Sequence, residues 1–486
     1  MLTNLNWLNP GAEWPPPSEK LRMDMYDNNR KLFENNHAEV YREDLKRIER
    51  VIGNFNDVIS YPVILNFQKL MSLKIADLLI GDPPQITAGE PNSKEQESVL
   101  KIKQNSNLDN IVYETAIDVS RYGDGLLYIR ERDGQGIIDI TQPPYWYPVV
   151  NPENVKEIMY HVIAWDYETE ENGQKRKYIK AFIHEKGSYE IRKLQVSTSE
   201  YGNNIRPTIQ GIVESSRVNT NLTDFAIIQI PNVITSDRVT GIDDYSDIDS
   251  IIAELLVRVG QIARILDKHA SPSMQGPLGA LEQDPATGEW RFKAGNYIPR
   301  NSKDDPEASY IVWDGHLEAN FKQMERLINF LYTISEMGSA IFGDLSGQTG
   351  QVPSGSALRR LMISPLAKVN RIRMRFDPGL KKAIKLCSQL GGDGVIDLTD
   401  YDISITWQDG LPNDPVEEAD IMDKRVGKPT MSQRRALKTF DTMSDDDADD
   451  ELMLIQEEER ISSPMLASPF GNLADKMPGE EEQGDN

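Results

Sequence analysis

The 486-residue sequence contains one cysteine, Cys387, and five histidines. A single cysteine excludes an intrachain disulfide framework and a thiolate zinc site, and it is typical of a reducing compartment. No two histidines stand in the HxH or HExxH spacing of a metal-binding pair. No apolar run reaches the roughly 18 residues of a membrane helix, and the first twenty residues lack the basic and apolar regions of a signal peptide. We therefore expect neither disulfides nor a membrane segment.

Motifs of the common enzyme classes are also missing. The sequence has no GxxxxGK[ST] phosphate loop and no GxSxG nucleophile elbow. The acidic stretch 445–456 fails as a calcium loop, because Asp450 stands where glycine is required and Gln456 replaces the terminal glutamate. These absences leave no catalytic constellation to assign and imply no cofactor.

The sequence is strongly acidic, with 77 acidic and 53 basic residues and a formal net charge of −24. An excess of one sign favours solubility and argues against indiscriminate binding to nucleic acid. Hydrophobic residues make up 39% and charged residues 27%, as in soluble globular proteins. The length exceeds that of one ordinary core and predicts two or more domains.

The hydrophobic pattern predicts a mixed chain of helices and strands. The first twenty residues, with WPPP at 14–17, predict an extended arm rather than a part of the core. Helices are expected at 21–51, 66–81, 111–120, 244–269, 317–342, 414–426 and 432–440. Strands are expected on both sides of a hairpin turn at 133–136 and at 158–167, 178–184, 189–195, 225–230 and 395–407. A Gly/Ser-rich loop follows the helix at 317–342.

Four aspartates stand around the start of the expected helix 244–269. The pairs Asp243/Asp244 and Asp247/Asp249 could hold a metal ion through their carboxylates. Helix capping is the favoured interpretation, with Asp247 or Asp249 as the cap, because a side-chain oxygen at this position accepts a hydrogen bond from a free backbone N–H group.

The segment PSGSALRRLMISPLAKVNRIRMRF (353–376) departs from the acidic background. From Leu358 to Leu386 there are nine Lys/Arg residues and one acid, Asp377. A helical wheel places apolar residues 358, 361, 362, 366, 369, 372, 376, 380 and 384 on one side. The opposite side carries a basic stripe of Arg360, Lys368, Arg371, Arg375, Lys382 and Lys385. Pro365 and Pro378 predict kinks. The stripe could contact a polyanion, or it could face acids of this chain or of a neighbouring subunit, which is the favoured interpretation.

The order of these parts resembles the portal proteins of tailed double-stranded-DNA bacteriophages, in the siphovirus-type portal family. Four stretches carry the resemblance: NFQKLMSLKIADLLIGDPP, RYGDGLLYIRERDGQGIIDI followed by PPYWYPVVNPENV, GIDDYSDIDSIIAELLVRVGQIARILDKHASPSM, and SGSALRRLMISPLAKVNRIRMRF. They cover roughly residues 66 to 407 in the family's order, and this shared order is more specific than any one stretch.

The resemblance implies the α+β portal fold: an α/β wing, a two-helix stem, a small α/β clip, a long kinked helix behind a tunnel loop, and a helical crown. The wing would be 1–242 with an N-terminal arm, the stem helices 243–269 and 316–342, and the clip 270–315. The tunnel loop would be 343–355, the basic helix 356–391 and a wing return strand 392–413. The crown would be 414–460, and 461–486 a disordered acidic tail.

The same resemblance implies a non-enzymatic ring, of twelve subunits in the family, at one capsid vertex of the virion, made in the bacterial host cytoplasm. The ring would be the channel for double-stranded DNA in packaging and ejection. It would dock the terminase large subunit and then head-completion or adaptor proteins, and it would meet major capsid and scaffolding proteins.

Three sets of site residues follow from the map. The tunnel-loop residues expected at the channel are Asp344, Leu345, Ser346, Gln348, Thr349, Gln351 and Val352. The clip residues expected to dock the motor and the adaptor, or else to fill the clip's own core, are Trp290, Phe292, Tyr297, Tyr310 and Trp313. The basic-helix residues expected to meet a neighbouring subunit or DNA are Arg360, Lys368, Arg371, Arg375 and Lys382.

Two other classes of protein stay open at the level of sequence. One is a metal-dependent nucleic-acid-processing enzyme that uses the acidic pairs, which nuclease assays with Mg²⁺ or Mn²⁺ would reveal. The other is a cytosolic scaffold that binds acidic partners through the basic helix. A mass near twelve times 55.0 kDa would favour the ring over the scaffold.

Overall fold

The structure, a computed structural model, describes most of the chain. The described residues are 1–52, 63–171, 173–199, 206–270, 317–343, 359–408, 415–426, 430–440 and 445–462, with short pieces between 274 and 310 and the single residue 443. Residues 1–411 and 412–486 form separate compact units. Within the described ranges, every helix is too short or too polar to cross a membrane.

Helices and strands alternate in blocks along the chain. The helices are α1 (Lys20–Phe33), α2 (His37–Val40), α3 (Arg42–Ile52), α4 (Phe67–Ile80), α5 (Lys94–Ser106), α6 (Leu108–Tyr122), α7 (Asp249–Ala270), α8 (Leu317–Ile334), α9 (Ile363–Gln389), α10 (Pro415–Val426), α11 (Gln433–Phe440) and α12 (Asp445–Ser462). The strands are β1 (Gln85–Ala88), β2 (Asp124–Arg132), β3 (Gln135–Ile140), β4 (Trp146–Asn151), β5 (Asn154–Glu171), β6 (Gln174–Glu185), β7 (Ser188–Ser199), β8 (Arg206–Asn219), β9 (Ile227–Pro231), β10 (Met274–Gln275), β11 (Leu281–Gln283), β12 (Trp290–Phe292), β13 (Ser309–Tyr310) and β14 (Ile403–Thr406).

The largest hydrophobic core surrounds the three-stranded antiparallel sheet β3-β2-β9. Helices α5, α6 and α9 pack against this sheet, and α4 packs against α6 and α9. The turn between β2 and β3 is Asp133-Gly134, where both residues have positive φ angles, 53° and 76°. A two-residue hairpin with a type I′ turn requires this backbone, and an Asp-Gly pair adopts it readily. The predicted hairpin is therefore confirmed.

A second core lies on the five-stranded antiparallel sheet β4-β5-β6-β7-β8. Trp7 and Trp14 stack on each other, and both contact Tyr147 of β4 with tilted rings; the ring centroids are 5.1–6.0 Å apart. Leu8 is fully buried beside them. The prediction of an arm outside the core is therefore wrong: burial of these large side chains outweighs the extended preference of the proline run.

The segment after α9 returns to the first unit. Strand β14 pairs antiparallel with β1, so that Ile403 lies opposite Ala88. Only the last part of the predicted strand 395–407 pairs in this way. The predicted helix 21–51 is also divided: α1, α2 and α3 are separate, and Asn35 takes a left-handed backbone (φ 73°) after α1.

Helices α7 and α8 contact each other and are joined by small strands. Strand β10 follows α7 and pairs antiparallel with β13, which precedes α8, while β11 pairs with β12. The chain thus leaves along α7 and returns along α8. Helix α8 ends at Ile334 rather than at 342, and Glu336 and Gly338 beyond it both have positive φ angles, 61° and 67°.

Helix α9 contains both prolines of the basic segment. Pro365 lies in its first turn, where the backbone N–H groups have no partner within the helix. Leu366 N donates at 2.9 Å to the carbonyl oxygen of Met362, the residue directly before α9. Residues 359–361 are helical as well, and a turn at Met362 separates them from α9. The predicted basic helix is therefore interrupted three residues before Pro365. Pro378 lies inside the helix, as predicted.

The second unit contains α10, α11 and α12, and α11 packs against both of the others. The Arg434 Nε atom of α11 lies 2.7 Å from Asp449 Oδ1 of α12, and Arg434 Nη2 donates to Asp449 Oδ2 at the same distance. A two-point contact of this kind fixes orientation as well as distance. Helix α12 extends the described structure into the acidic stretch as far as Ser462; residues 463–486, within the predicted disordered tail, lie outside the described residues.

A close contact between two glycines fixes the chain just before α7. Gly123 ends α6 with a φ of +84°, and a Cβ atom on Gly241 would lie only 1.9 Å from Gly123 O. Gly241 N also donates to both carboxylate oxygens of Asp124, at 3.0 and 2.9 Å. No side chain fits at residue 241 without displacement of the backbone.

We predict that Gly241→Ala lowers the free energy of unfolding by about 1–3 kcal/mol, because a methyl group overpacks this contact. Denaturant unfolding followed by tryptophan fluorescence measures it, since all seven tryptophans precede residue 411. Gly211→Ala is the matched control, as a Cβ atom there meets nothing within 4 Å. Equal stability of the two variants would contradict the prediction.

Candidate functional site

The basic helix α9 buries the apolar side that its sequence predicts. Val369, Ile372, Phe376, Leu380 and Ile384 are all buried in the main core. Their spacing of three and four residues places them on one side of the helix. The cysteine of the chain, Cys387, is buried on α9 too, and burial raises the pKa of its thiol to about 12. The thiol therefore stays protonated near neutral pH and acts as a packing group.

Lys368 is the exception within the basic stripe, because it is buried. Its Nζ atom lies 2.8 Å from Asp244 Oδ1 and donates to Ser335 O at 3.0 Å. Asp244 stands before α7 and Ser335 directly after α8. One ammonium group thus joins the start of α7, the end of α8 and the first half of α9.

The backbone around Asp244 is held by further hydrogen bonds. Asp244 N donates to Ser120 O at 2.9 Å, and Asn232 Nδ2 donates to Asp244 Oδ1 at 3.1 Å. The neighbouring Asp243 accepts from the backbone N–H groups of Tyr245 and Ser246, at 2.8 Å each. Asp243 therefore caps the turn before α7, a role that the sequence assigned to Asp247 or Asp249.

Asp249 has a different role, at the first residue of α7. Its Oδ1 atom accepts hydrogen bonds from Tyr41 at 2.8 Å and from Gln68 at 3.1 Å. Burial raises the pKa of this carboxyl to about 6, and the two hydrogen bonds act in the opposite direction. Among the described residues, no three acids or histidines converge in a way that could hold a metal ion.

Two more residues of the stripe are paired with acids of the same chain. Arg371 Nη2 donates to both carboxylate oxygens of Glu336 at 2.8 Å, in a half-exposed position. Lys382 Nζ lies 2.7 Å from Asp224 Oδ2. Burial alone would raise the pKa of Asp224, but the hydrogen bond and charge of Lys382 outweigh it and hold the pKa below its ordinary value.

The other two predicted contact residues, Arg360 and Arg375, have exposed side chains. Neither forms an ion pair with the part of the chain that the structure describes. Arg373 lies off the stripe and donates to the carbonyl groups of Leu78, Leu79 and Gln408, so it ties α9 to the end of α4. The exposed positive charge of α9 is therefore smaller than its sequence indicates.

An open cleft of about 330 Å³ lies beside the Lys368–Asp244 pair. Its lining includes Val233, Ile334, Glu336, Met374 and Arg375. The second carboxylate oxygen of Asp244, Oδ2, is buried and has no hydrogen-bond partner among the described residues. The cleft thus combines exposed apolar side chains with both signs of charge.

The predicted tunnel-loop residues and clip residues lie mainly outside the described residues. All seven tunnel-loop residues, from Asp344 to Val352, are outside them, as are Tyr297 and Trp313 of the predicted clip. Trp290 and Phe292 lie in β12, opposite Gln283 and Leu281. Tyr310 lies in β13, opposite Met274. Docking by these residues stays a prediction.

The acids that pair with the stripe were not found from the sequence. Asp244, Glu336 and Asp224 are 124, 35 and 158 residues away from Lys368, Arg371 and Lys382, respectively. No local spacing rule connects residues so far apart. A buried lysine needs a partner, but only the fold identifies which acid supplies it.

A model of the family described as "Phage portal protein, SPP1 Gp6-like" matches residues 18–465, nearly the whole chain. The chain belongs to this family. The predicted portal fold and family are therefore confirmed. No curated protein matches the sequence.

Solved structures with a similar fold come from gene transfer agent (GTA) particles. The neck of an empty GTA particle, computed with C6 symmetry, contains a chain with 12% identity and a TM-score of 0.46, over 76% of this chain and 89% of that chain. The virion of a native GTA particle contains a chain with 12% identity and a TM-score of 0.41, over 82% of this chain and 94% of that chain. The neck of a native GTA particle, computed with C12 symmetry, contains a chain with 11% identity and a TM-score of 0.40, over 76% of this chain and 88% of that chain. These are similarities of fold alone, and the family assignment depends on the family match.

We predict that Lys368→Met lowers the free energy of unfolding by about 3–5 kcal/mol, because Asp244 is left buried without a cation. Arg371→Met is the matched control on the same helix. Its partner is half exposed, so the loss should be less than about 1 kcal/mol. Denaturant unfolding followed by tryptophan fluorescence compares the two variants. Equal losses of unfolding free energy in the two variants would contradict the prediction that the buried pair contributes more to stability than the half-exposed pair.

Proposed function

We propose that the chain is a portal subunit that forms a closed ring at one vertex of a phage capsid, as part of the virion. The observation that carries this proposal is the family match over residues 18–465. The ring is the channel through which double-stranded DNA enters and leaves the capsid. The proposed role is structural, with the energy for packaging supplied by the motor that docks on the ring.

The proposed parts follow the order of the described elements. Helices α7 and α8 are the stem, and residues 270–315 between them are the clip, which docks the terminase large subunit and later the adaptor proteins. Residues 343–355 form the tunnel loop at the channel, and α9 lies behind it. The second unit supplies the crown, at 414–460. Capsid and scaffolding proteins surround the assembled ring.

The charges of α9 support a role in subunit contact rather than in gripping DNA. Three of the five predicted contact residues, Lys368, Arg371 and Lys382, lie on α9 and already neutralise acids of their own chain. The other two are Arg375 of α9 and Arg360, which precedes α9; both keep exposed charges without an ion pair in the described ranges. A channel that holds DNA by many phosphate contacts would bind it strongly, whereas packaging requires the DNA to slide.

The ring itself is the first test of this proposal. We expect purified protein to give particles near twelve times 55.0 kDa by mass measurement, and ring-shaped class averages with a central hole by electron microscopy. Truncation after Ser462, where α12 ends, should leave the rings intact. A protein that stays monomeric at micromolar concentration would contradict the proposal.

Replacement of Arg375 by an uncharged residue tests its proposed role in subunit contact. We expect Arg375→Ala to reduce the fraction of chains in rings, because Arg375 is exposed, has no acid partner among the described residues and is therefore proposed to meet a neighbour. Lys381→Ala is the control on the same helix, since Lys381 pairs with Asp377 at 2.8 Å. Normal rings of Arg375→Ala with a fall in packaged DNA would assign Arg375 to the channel instead.

A further inference from the structure

Helix α8 is covered by the rest of the chain on one side only. Leu331 is its fully buried residue, and Met324, Leu327 and Ile328 are half-buried around it. Three large apolar side chains of the same helix, Phe321, Phe330 and Ile334, are 51%, 56% and 46% exposed. Exposed apolar side chains that are grouped, rather than scattered, mark interaction surfaces.

The exposed residues of α8 form two rows with a spacing of four residues. Residues four apart lie next to each other on a helix surface. One row, which we name the arginine row, is Arg326, Phe330 and Ile334. The other, the glutamate row, is Phe321, Glu325 and Asn329. At 3.6 residues per turn, the centres of the two rows are about 140° apart around the helix.

The two rows carry opposite charges that no described residue neutralises. Neither Glu325 nor Arg326 forms an ion pair with any part of the chain that the structure describes. By contrast, Glu318 and Lys322 of the same helix pair with each other at 2.7 Å. Each row therefore combines exposed apolar area with one uncompensated charge.

The arginine row continues into the cleft beside Lys368. Ile334, its last residue, lines that cleft together with Met374 of α9 and Val233. Met374 and Val233 are exposed as well. The surface that begins at Arg326 is therefore extended, and in the cleft it combines exposed apolar side chains with charged groups of both signs.

We propose that the arginine row of one copy of this chain docks against the glutamate row of the next copy. A subunit of a cyclic ring meets its two neighbours through two different surfaces, which must be complementary to each other. The rows meet this requirement, since each carries an exposed phenylalanine, Phe330 or Phe321, and their charges are opposite. The inference rests on the proposed ring.

The position of the two charges along the helix supports this pairing. Glu325 and Arg326 are consecutive, so they differ by about 1.5 Å along the axis of α8. Rotation about a ring axis leaves every residue at its own height. Where neighbouring α8 helices lie side by side along that axis, Glu325 of one copy and Arg326 of the next come to the same level.

Charge reversal tests the pairing. Glu325→Lys and Arg326→Glu each place like charges together at every interface, and like charges at an interface are strongly unfavourable. We expect each single variant to raise the protein concentration for half-assembly of rings about tenfold or more. The double variant Glu325→Lys/Arg326→Glu restores an opposite pair and should return that concentration to within about threefold of wild type.

The control exchanges an exposed pair outside α8, the Asp420–Lys424 pair of α10, as Asp420→Lys/Lys424→Asp, and should assemble like wild type. Mass photometry at low salt measures ring fraction, and thermal unfolding of each variant shows that these exposed changes preserve the fold. Single variants that assemble normally, or a double variant no better than the worse single one, would overturn the pairing while the ring proposal stands. Wild-type protein without rings would overturn both.

Discussion

The ion pair between Lys368 and Asp244 is the interaction on which the arrangement of the other parts depends. An ammonium group that leaves water needs a nearby anion and further acceptors. Asp244 and Ser335 O supply them from two other segments of the chain. Because the three groups must meet within hydrogen-bond distance, the start of α7, the end of α8 and the body of α9 have one permitted arrangement.

The same internal pairing explains how a very basic segment belongs to an acidic protein. Arg371 and Lys382 bind acids of the chain, and Arg373 binds backbone carbonyl groups. Most of the basic side chains of α9 therefore stabilise the fold instead of creating a positive surface. A net charge of −24 and few exposed cations on this helix suit the proposed channel, which DNA would have to pass without being retained.

Local chemistry made part of the fold predictable. Asn66 caps α4 by accepting from Lys69 N at 2.9 Å, Asp133-Gly134 makes the hairpin turn, and the apolar period of α9 identifies its buried side. The first twenty residues were misjudged because Trp7 and Trp14 are too sparse for a period and are buried only once the distant strand β4 is in place. The acids that pair with the basic stripe could not be predicted for the same reason, since these pairs depend on tertiary contacts.

Closure of a ring sets a stricter condition than folding, because the angle between a subunit's two contact surfaces determines how many copies close it. Both proposed surfaces lie on α8, and the arginine row extends onto Met374 of α9. The relative position of α8 and α9 therefore enters the closure angle directly. Lys368 fixes that position through a directional contact with Ser335 O, at the end of α8, where purely apolar packing would allow sliding. We infer that the buried pair contributes to the geometry of assembly as well as to stability, and that the chain tolerates the cost of burying a charge for this reason.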